Sequence, residues 1–589
     1  MSAVSQALQQ IKDVERHGTL IAAYDLVQDA LRRHPDDLAL RHRAVLILAR
    51  GGATAEAERN YRGFGLDAVA DHEDIIALGG RLLKDRALAA SGEERRRLLE
   101  AAIGKYRQAA ALAGSSYPAI NVATLSLLIG NRQEAADLAS RILAAKPGGD
   151  SYFELATRAE ALLLLGRLDE ADRSLAQAIA LQSNDMSDRA STLHQLELVS
   201  GKLGAELQWL EPHRPAPTLH YCGHMFRAGS DPAAIRRIAV AITSEIARTR
   251  PSAMFGALAA GCDILAAEAA IAAGIDLHVV LPMVEEEFLR CSVAPWGEDW
   301  LDRYRRCRQK ATSLRVYLPE PYFGDDSVFA MGSAYAMGLA IRHAQAIRAQ
   351  AAQICIWDGV RSDQPAGTGV DQAVWNMTGR KQAVVPFPAS LREPKPGVLP
   401  AELLTMPRRP RAILFGDVRG FSGLSERQAQ IFFDQVMGGL AERLEQTAVA
   451  PDLLESWGDG LHLVFDSVGK AASAALALQE RFREMPLEEL GLPPQLALRV
   501  GAHYGPLTPM RDRFTGHDGY VGTHNTIAAR IEPVAMPGAI FASEPSAAML
   551  ALEEGERFQS GYVGIMELPK GFGAMRLYSI QPGRLGSDA

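Results

Sequence analysis

Two aspartates carry the chemistry that this chain's residue types and spacing suggest. In "FGDVRGFSGLSE" (415–426), Asp417 stands among glycines at the end of an apolar run, just ahead of a helix start. In "PDLLESWGDGLHLVFDS" (451–467), two apolar runs are joined by Gly-Asp-Gly, a strong hairpin signal that puts Asp459 in the turn. If the two strands are neighbours, the carboxylates meet at one edge of a sheet. Paired carboxylates suit hard cations such as Mg²⁺ or Mn²⁺, which prefer oxygen ligands and bring phosphates with them. Ser425-x-x-Gln428 reads as a capping box, and the free backbone N–H groups of a helix start suit a phosphate chain.

The elements that must position these residues lie in the last of three regions. Residues 1–205 are rich in Ala, Leu, Arg and Glu with helical periodicity. A glycine followed five residues later by alanine recurs at Gly18/Ala23, Gly52/Ala57, Gly130/Ala135 and Gly166/Ala171, with glycine spacings of 34, 78 and 36. A period near 34, with "GNRQEAADLASRILAAKP" and "GRLDEADRSLAQAIALQ", resembles tetratricopeptide repeats, in which the small alanine lets paired helices approach closely. The resemblance implies a protein partner for the repeats.

Prolines in "LEPHRPAPTLHY" (210–221) break that pattern. Over 215–390 the apolar runs "LHVVLP", "SLRVYLP", "QICIWDG" and "QAVVPF" alternate with helical stretches, which predicts a Rossmann-like parallel sheet covered on both faces. "FGALAAGCDILAAEAAIAAGIDLHVVLP" (255–282) and "GTGVDQAVW" (367–375) resemble the SLOG superfamily, the Rossmann-like group that contains DNA-processing protein A and the LOG phosphoribohydrolases. The resemblance implies a nucleotide-like ligand near Gly256, Asp263, Glu268, Gly367 and Thr368. The hydrolase signature PGGxGTxxE is replaced by "DQPAGTG", which favours sensing over hydrolysis. Seven prolines between 386 and 410 mark a stiff linker, assigned to 391–407, that isolates a third domain over 408–584.

In that third domain, "AILFGDVRGF", "LRVGAHYGPL", "GYVGTHNTIAARIEPVAMPGAIFAS" and "LPKGFGAMRLYSI" follow one another in the order of the class III adenylate/guanylate cyclase catalytic domain, which they resemble. The resemblance implies an α+β ferredoxin-like fold working as a head-to-tail homodimer with sites at the interface, two Mg²⁺ or Mn²⁺ ions per site, and a purine NTP as substrate. Asp417, Val418 and Asp459 fall at the metal positions, and Phe421 and Ser422 at the phosphates. Arg530 matches the arginine that steadies charge on the α-phosphate, and Lys570 the phosphate-binding lysine. Thr526 stands where the family has asparagine, losing one amide donor, with Asn525 turned about 100° away on the helix. Glu455 and Gly519 occupy the base-reading positions. A carboxylate at 455 suits the N–H groups of guanine, Gly519 leaves the pocket half specified, and GTP and ATP both stay open. A catalytically weak homologue serving as a nucleotide-binding, dimerising scaffold is the alternative.

Bulk properties exclude other classes. The 589 residues are 48% apolar and 22% charged, with a formal net charge of −8 and a pI near 6.0. No basic excess exists to neutralise a nucleic acid. The five cysteines contain no CxxC pair, as expected for reduced thiols of a cytoplasmic protein. No run approaches the ~18 apolar residues of a membrane span.

Overall fold

The computed structural model describes residues 2–113, 115–145, 151–182, 185–227, 229–361, 363–392, 406–514 and 516–583. Most of the proline-rich stretch, 393–405, lies outside the described residues, as does the last residue of the 408–584 assignment.

Helices fill Ala3–Leu203 as five antiparallel pairs and a closing helix, Met186–Leu203. Gly18, Gly52, Gly130 and Gly166 each take a positive φ, of 73–93°, in the turn within a pair. The alanines five residues on are at most 2% exposed, because each sits where its helix presses on its partner. The 78-residue interval is explained by an extra pair, Glu73–Ala89 and Gly92–Ala113, whose turn lacks the glycine–alanine pattern.

The second unit is a six-stranded parallel sheet built from β1 (Thr218–Gly223), β2 (Ala253–Gly256), β3 (Asp276–Leu281), β4 (Ser313–Val316), β5 (Ala351–Trp357) and β6 (Lys381–Pro386). Its order, β4-β3-β2-β1-β5-β6, reverses direction between β1 and β5. In a doubly wound sheet that reversal leaves a crevice at the C-terminal strand ends.

The third unit contains β7 (Arg409–Arg419), β8 (Leu453–Trp457), β9 (Gly460–Phe465), β10 (Ala497–Arg511), β11 (Asp518–Val521), β12 (Ile540–Ser543), β13 (Phe558–Leu568) and β14 (Gly573–Pro582), in the order β13-β14-β12-β10-β7-β9-β8 with β11 on β10. The run β10-β7-β9-β8 is the βαββαβ arrangement of a ferredoxin-like sheet. Helices over Glu426–Gln446 (with a π-turn at Phe432–Met437) and Val468–Glu484 cover one face.

The units are not isolated by their linker, contrary to the expectation from proline content. Met337, Ile341 and Trp375 of the second unit belong to the same apolar core as Leu414, Leu463 and Leu550 of the third. The long helix Ser327–Ala346 lies so close to helix Glu544–Glu553 that a Cβ at Gly338 would overlap the Ala548 carbonyl. Buried Glu544 accepts hydrogen bonds from Tyr335 at 2.7 Å and Tyr578 at 2.8 Å, one from each unit. The first repeats join in as well: Tyr24, Val27 and Leu31 share a core with Tyr562, Val563 and Leu577, and Tyr562 donates to Asp25 at 2.6 Å.

Candidate active site

β7 delivers Asp417, and the β8–β9 hairpin delivers Asp459. The β7–β9 pairing ends at Gly416 opposite Leu461. Continuing that register by two residues sets Val418 opposite Asp459, so the two aspartates stand side by side where the strands end. Gly458, with φ 62°, makes the turn that turns Asp459 toward β7. Burial pushes the Asp459 carboxyl up to about 6, helped by the Asp417 carboxylate within hydrogen-bond reach, while amide hydrogen bonds, including one from Val418, pull the other way. Two acids this close resist double ionisation, which a bound cation would relieve.

Two further residues complete the cluster, and sequence reasoning did not name either. Arg499 lies on β10 directly opposite Asp417. Its Nη2 is 2.6 Å from Asp417 Oδ2 and 2.9 Å from Glu532 Oε1. Burial pushes the Glu532 carboxyl up to about 7, with Asp417 and Asp459 adding to the rise and Arg499 opposing it. The signal was present in "LRVGAHYG" and "ARIE", but only the strand register reveals that those segments meet.

Helix Thr523–Ile531, which carries Thr526 and Arg530, lies along β10. Its close approach depends on two glycines of that strand. A Cβ at Gly501 would stand 2.7 Å from the Ala528 carbonyl, and one at Gly505 would enter the His524 ring. His524 and His503 stack there, with Nδ1 and Nε2 2.7 Å apart. Thr526 is exposed and Arg530 partly so. Asn525 is engaged elsewhere, its amide donating to the Tyr520 carbonyl at 2.8 Å.

The phosphate and base positions are placed as follows. Phe421 and Ser422 open a short 3₁₀ turn after Gly420, and the capping box of Ser425 with Gln428 starts the next helix. The Phe421 ring packs on Phe432. Glu455 pairs across β8–β9 with His462, whose buried ring stacks on Phe415 at 4.4 Å and contacts the carboxylate through Nδ1 at 2.9 Å. Gly519 sits on β11 opposite Met510. Lys570 is exposed, with φ 62°, in the β13–β14 turn. That turn is on the far side of β14, β12 and β10 from Asp417, and the strand directions put it at the opposite end of the sheet. At ~4.8 Å per strand and ~3.3 Å per residue, the separation exceeds roughly 20 Å. Among the described residues, no hydrogen bond or ion pair links Thr526, Arg530 or Lys570 to the aspartates.

In the second unit, helices Cys262–Ala272 and Thr368–Met377 both begin near the end of β1. Asp263 accepts from the Gly223 amide at 3.0 Å. Burial holds its carboxyl well above the ordinary range, with Asp371 adding to the rise, and burial pushes Asp371 itself up to about 7. Gly367, with φ 129°, opens the second helix, and Thr368 is buried beneath it. Two of the residues have structural engagements of their own. A Cβ at Gly256 would meet the Tyr221 carbonyl at 2.6 Å, so this glycine serves packing between β2 and β1. Glu268 is held by Arg303 in a bidentate ion pair, with one bond of 2.8 Å, on the outer side of its helix. A cleft of about 580 Å³ lies at the opposite, N-terminal edge of this sheet, bordered by Arg214, Arg248, Gln353 and Lys381.

Residues 20–126 match the family model described as Tetratricopeptide Repeats-Sensor, which spans well under half of the chain. No curated protein matches. Among solved structures, the guanylate cyclase domain of RhGC from Catenaria anguillulae, in complex with GTP, is similar at 19% identity, covering 30% of this chain and 97% of its own, with a TM-score of 0.26. The adenylyl cyclase CyaB from P. aeruginosa is similar at 15% identity over 31% of this chain and 97% of its own, with a TM-score of 0.27. The guanylyl cyclase Cya2 is similar at 23% identity over 31% and 95%, with a TM-score of 0.26. Likeness at these identities and scores carries no weight for chemistry, which must come from the side chains.

Proposed function

We propose that the chain is a nucleotidyl cyclase that converts a purine NTP, GTP or ATP, to a 3′,5′-cyclic nucleotide and pyrophosphate. The observation that carries this reading is the meeting of Asp417 and Asp459, an oxygen-only donor pair in which Asp459 is pushed up to about 6. Asp417, Asp459 and the Val418 backbone would hold two Mg²⁺ or Mn²⁺ ions, whose role is to acidify the ribose 3′-hydroxyl and neutralise the triphosphate. The 3′-oxygen forms a bond to the α-phosphorus, the bond to the β-phosphate oxygen breaks, and the hydroxyl proton leaves to solvent. The amides of Phe421 and Ser422 face the phosphates, and Glu455 accepts from the base.

Arg530, Thr526 and Lys570 act on nucleotide held by a second copy of the chain. The distance from Lys570 to the aspartates of its own sheet supports this arrangement. So do the exposed apolar side chains Leu454, Trp457, Met510, Val521, Ile565 and Phe572 on the arms of the third unit. A nucleotide-like ligand at the β1 edge of the second unit, near Asp263, Gly367 and Thr368, regulates turnover, and the repeats take a protein partner. Purified protein with Mn²⁺ and each of the four NTPs, its products read by mass, tests the reading. Formation of no cyclic product from any NTP overturns it.

The scaffold reading has two observations in its favour. Arg499 already neutralises Asp417, and Thr526 supplies one short hydroxyl donor where an amide would supply two. Nucleotide binding and dimerisation without turnover would select it.

A further inference from the structure

Helix Thr523–Ile531 rests on β10 over Gly501 and Gly505, with the His503 ring between them stacked on His524. Polar side-chain ties to other segments stand at its two ends. At the C-terminal end, Glu532 is tied to Arg499. At the N-terminal end, the tie comes from another unit of the chain.

Glu320 lies on the loop after β4, at the C-terminal edge of the parallel sheet. Its Oε1 accepts from the Thr523 hydroxyl at 2.6 Å, and its Oε2 accepts from Arg408 Nη1 at 2.7 Å. Gly522, the residue before the helix, provides no side-chain cap. A carboxylate beside the positive end of a helix is favourable. The Arg408 half of the contact is shielded, with the Glu320 side chain 18% exposed and that of Arg408 10%, while Thr523 is exposed. Burial alone would raise the Glu320 carboxyl, but the hydrogen bonds from Thr523 and Arg408 outweigh it and hold the group below its ordinary value. Arg408 is anchored in turn beside Asp325 and over the Phe323 ring, both on the same loop.

We propose that Glu320 is a positioning residue through which the second unit fixes the helix carrying Thr526 and Arg530. The loop that holds this helix leaves the same C-terminal side of the parallel sheet as the crevice at β1 and β5, three strands along from β1, so a displacement carried across that side reaches the helix through Glu320. The clamp stands on geometry alone; its effect on turnover rests on the cyclase reading.

Hydrogen exchange on the full chain separates the two. In Glu320→Ala, amides of 523–531 should exchange about 10-fold faster than in the wild type, with the strands of the third unit unchanged. Thr523→Val, which removes only the donor, should reproduce part of that rise, and Glu320→Gln, which can still accept, should restore most of the protection. Kinetically, Glu320→Ala should lower kcat about 10-fold with KM for the NTP changed less than about 2-fold, the mark of a misplaced group acting in the transition state. Unchanged exchange at 523–531, or an equal rise throughout the third unit in both Glu320→Ala and Thr523→Val, overturns the clamp. A wild-type chain without cyclase activity overturns the functional reading instead, and the exchange data still decide the clamp.

Discussion

Arg499 and Asp417 face each other across β7 and β10, and the same guanidinium that meets Asp417 at 2.6 Å reaches Glu532 at 2.9 Å. A charged triad therefore sits where the metal ions are proposed to bind. Asp417→Ala or Asp459→Ala should lower cyclic nucleotide formation at least about 100-fold, the scale of losing one main electrostatic contributor. Asp459→Ala should not lower Tm, because it removes a repulsion between two carboxyls, whereas Asp417→Ala also breaks the ion pair with Arg499 and should lower it. Retained turnover, followed by product mass against Mn²⁺ concentration, would show that the aspartates do not carry the reaction.

Glu455 is not a free side chain, since His462 holds one of its oxygens at 2.9 Å and leaves the other for a base. A carboxylate there should favour GTP over ATP by about one hydrogen-bonded pair, ~1–3 kcal/mol. Glu455→Lys should move the preference toward ATP. His462→Met, which frees the carboxylate to rotate, should shrink the GTP preference without reversing it. Initial rates with the two NTPs in competition measure both effects.

Asp371 should make a contribution to stability that falls as pH rises from about 4 toward 7. Its carboxyl is pushed from 3.8 up to about 7 by burial, so the fold favours the neutral acid. That contribution is fully present below about pH 4 and is lost as pH rises through 7. Asp371→Asn should raise stability at pH 8 by about 2–4 kcal/mol, with the gain shrinking toward pH 4. Urea melts at the two pH values check it; a gain independent of pH would assign the effect to packing.

Gly338→Ala should destabilise the chain by ~1–3 kcal/mol, because the added methyl overlaps the Ala548 carbonyl across two rigid helices. The loss should appear in one transition shared by the second and third units. Two separate transitions, with only one displaced, would show that the units unfold independently.

Mixing Arg530→Ala with Asp417→Ala chains should restore activity to about a quarter of wild type, since half of the random pairs are mixed and each mixed pair holds one intact site. Two inactive variants that stay inactive together, at concentrations where light scattering finds dimers, would show that Arg530 and Asp417 of one chain serve the same site.

The repeat turns were legible because glycine and alanine at fixed spacing have one physical use, a left-handed turn beside a close helix contact. The ferredoxin-like fold was legible only through the resemblance of four ordered motifs to the class III cyclase domain, while the β8–β9 hairpin was legible from Gly-Asp-Gly itself. β1 and β2 were less so: "TLHYCG" and "AMFG" are short, and neither alternates. Arg499 and Glu532 escaped notice because each gains its meaning from a register between strands far apart in sequence. The ion pair of Glu268 was hidden for a similar reason, since a carboxylate near a helix start says nothing of Arg303, 35 residues on. The proline-rich stretch suggested a tether, yet contact between the units is made by Trp375, Met337 and Ile341, apolar residues with no local mark of an interface.

Helix Ser327–Ala346 touches all three units: its first turn follows the loop that carries Glu320, its middle lies against Ala548, and Ile347 at its end fills the space over Gly18 of the first repeat. Twenty residues at 1.5 Å each make a rod of about 30 Å. Such a rod does not swing domains apart as a hinge does; it works as an axle. A tilt of about 2° at one end would carry the other by ~1 Å, enough to draw a hydrogen bond of 2.6 Å out of range. The repeats, the parallel sheet and the aspartate-bearing sheet would then register one another's state as strain in a common shaft.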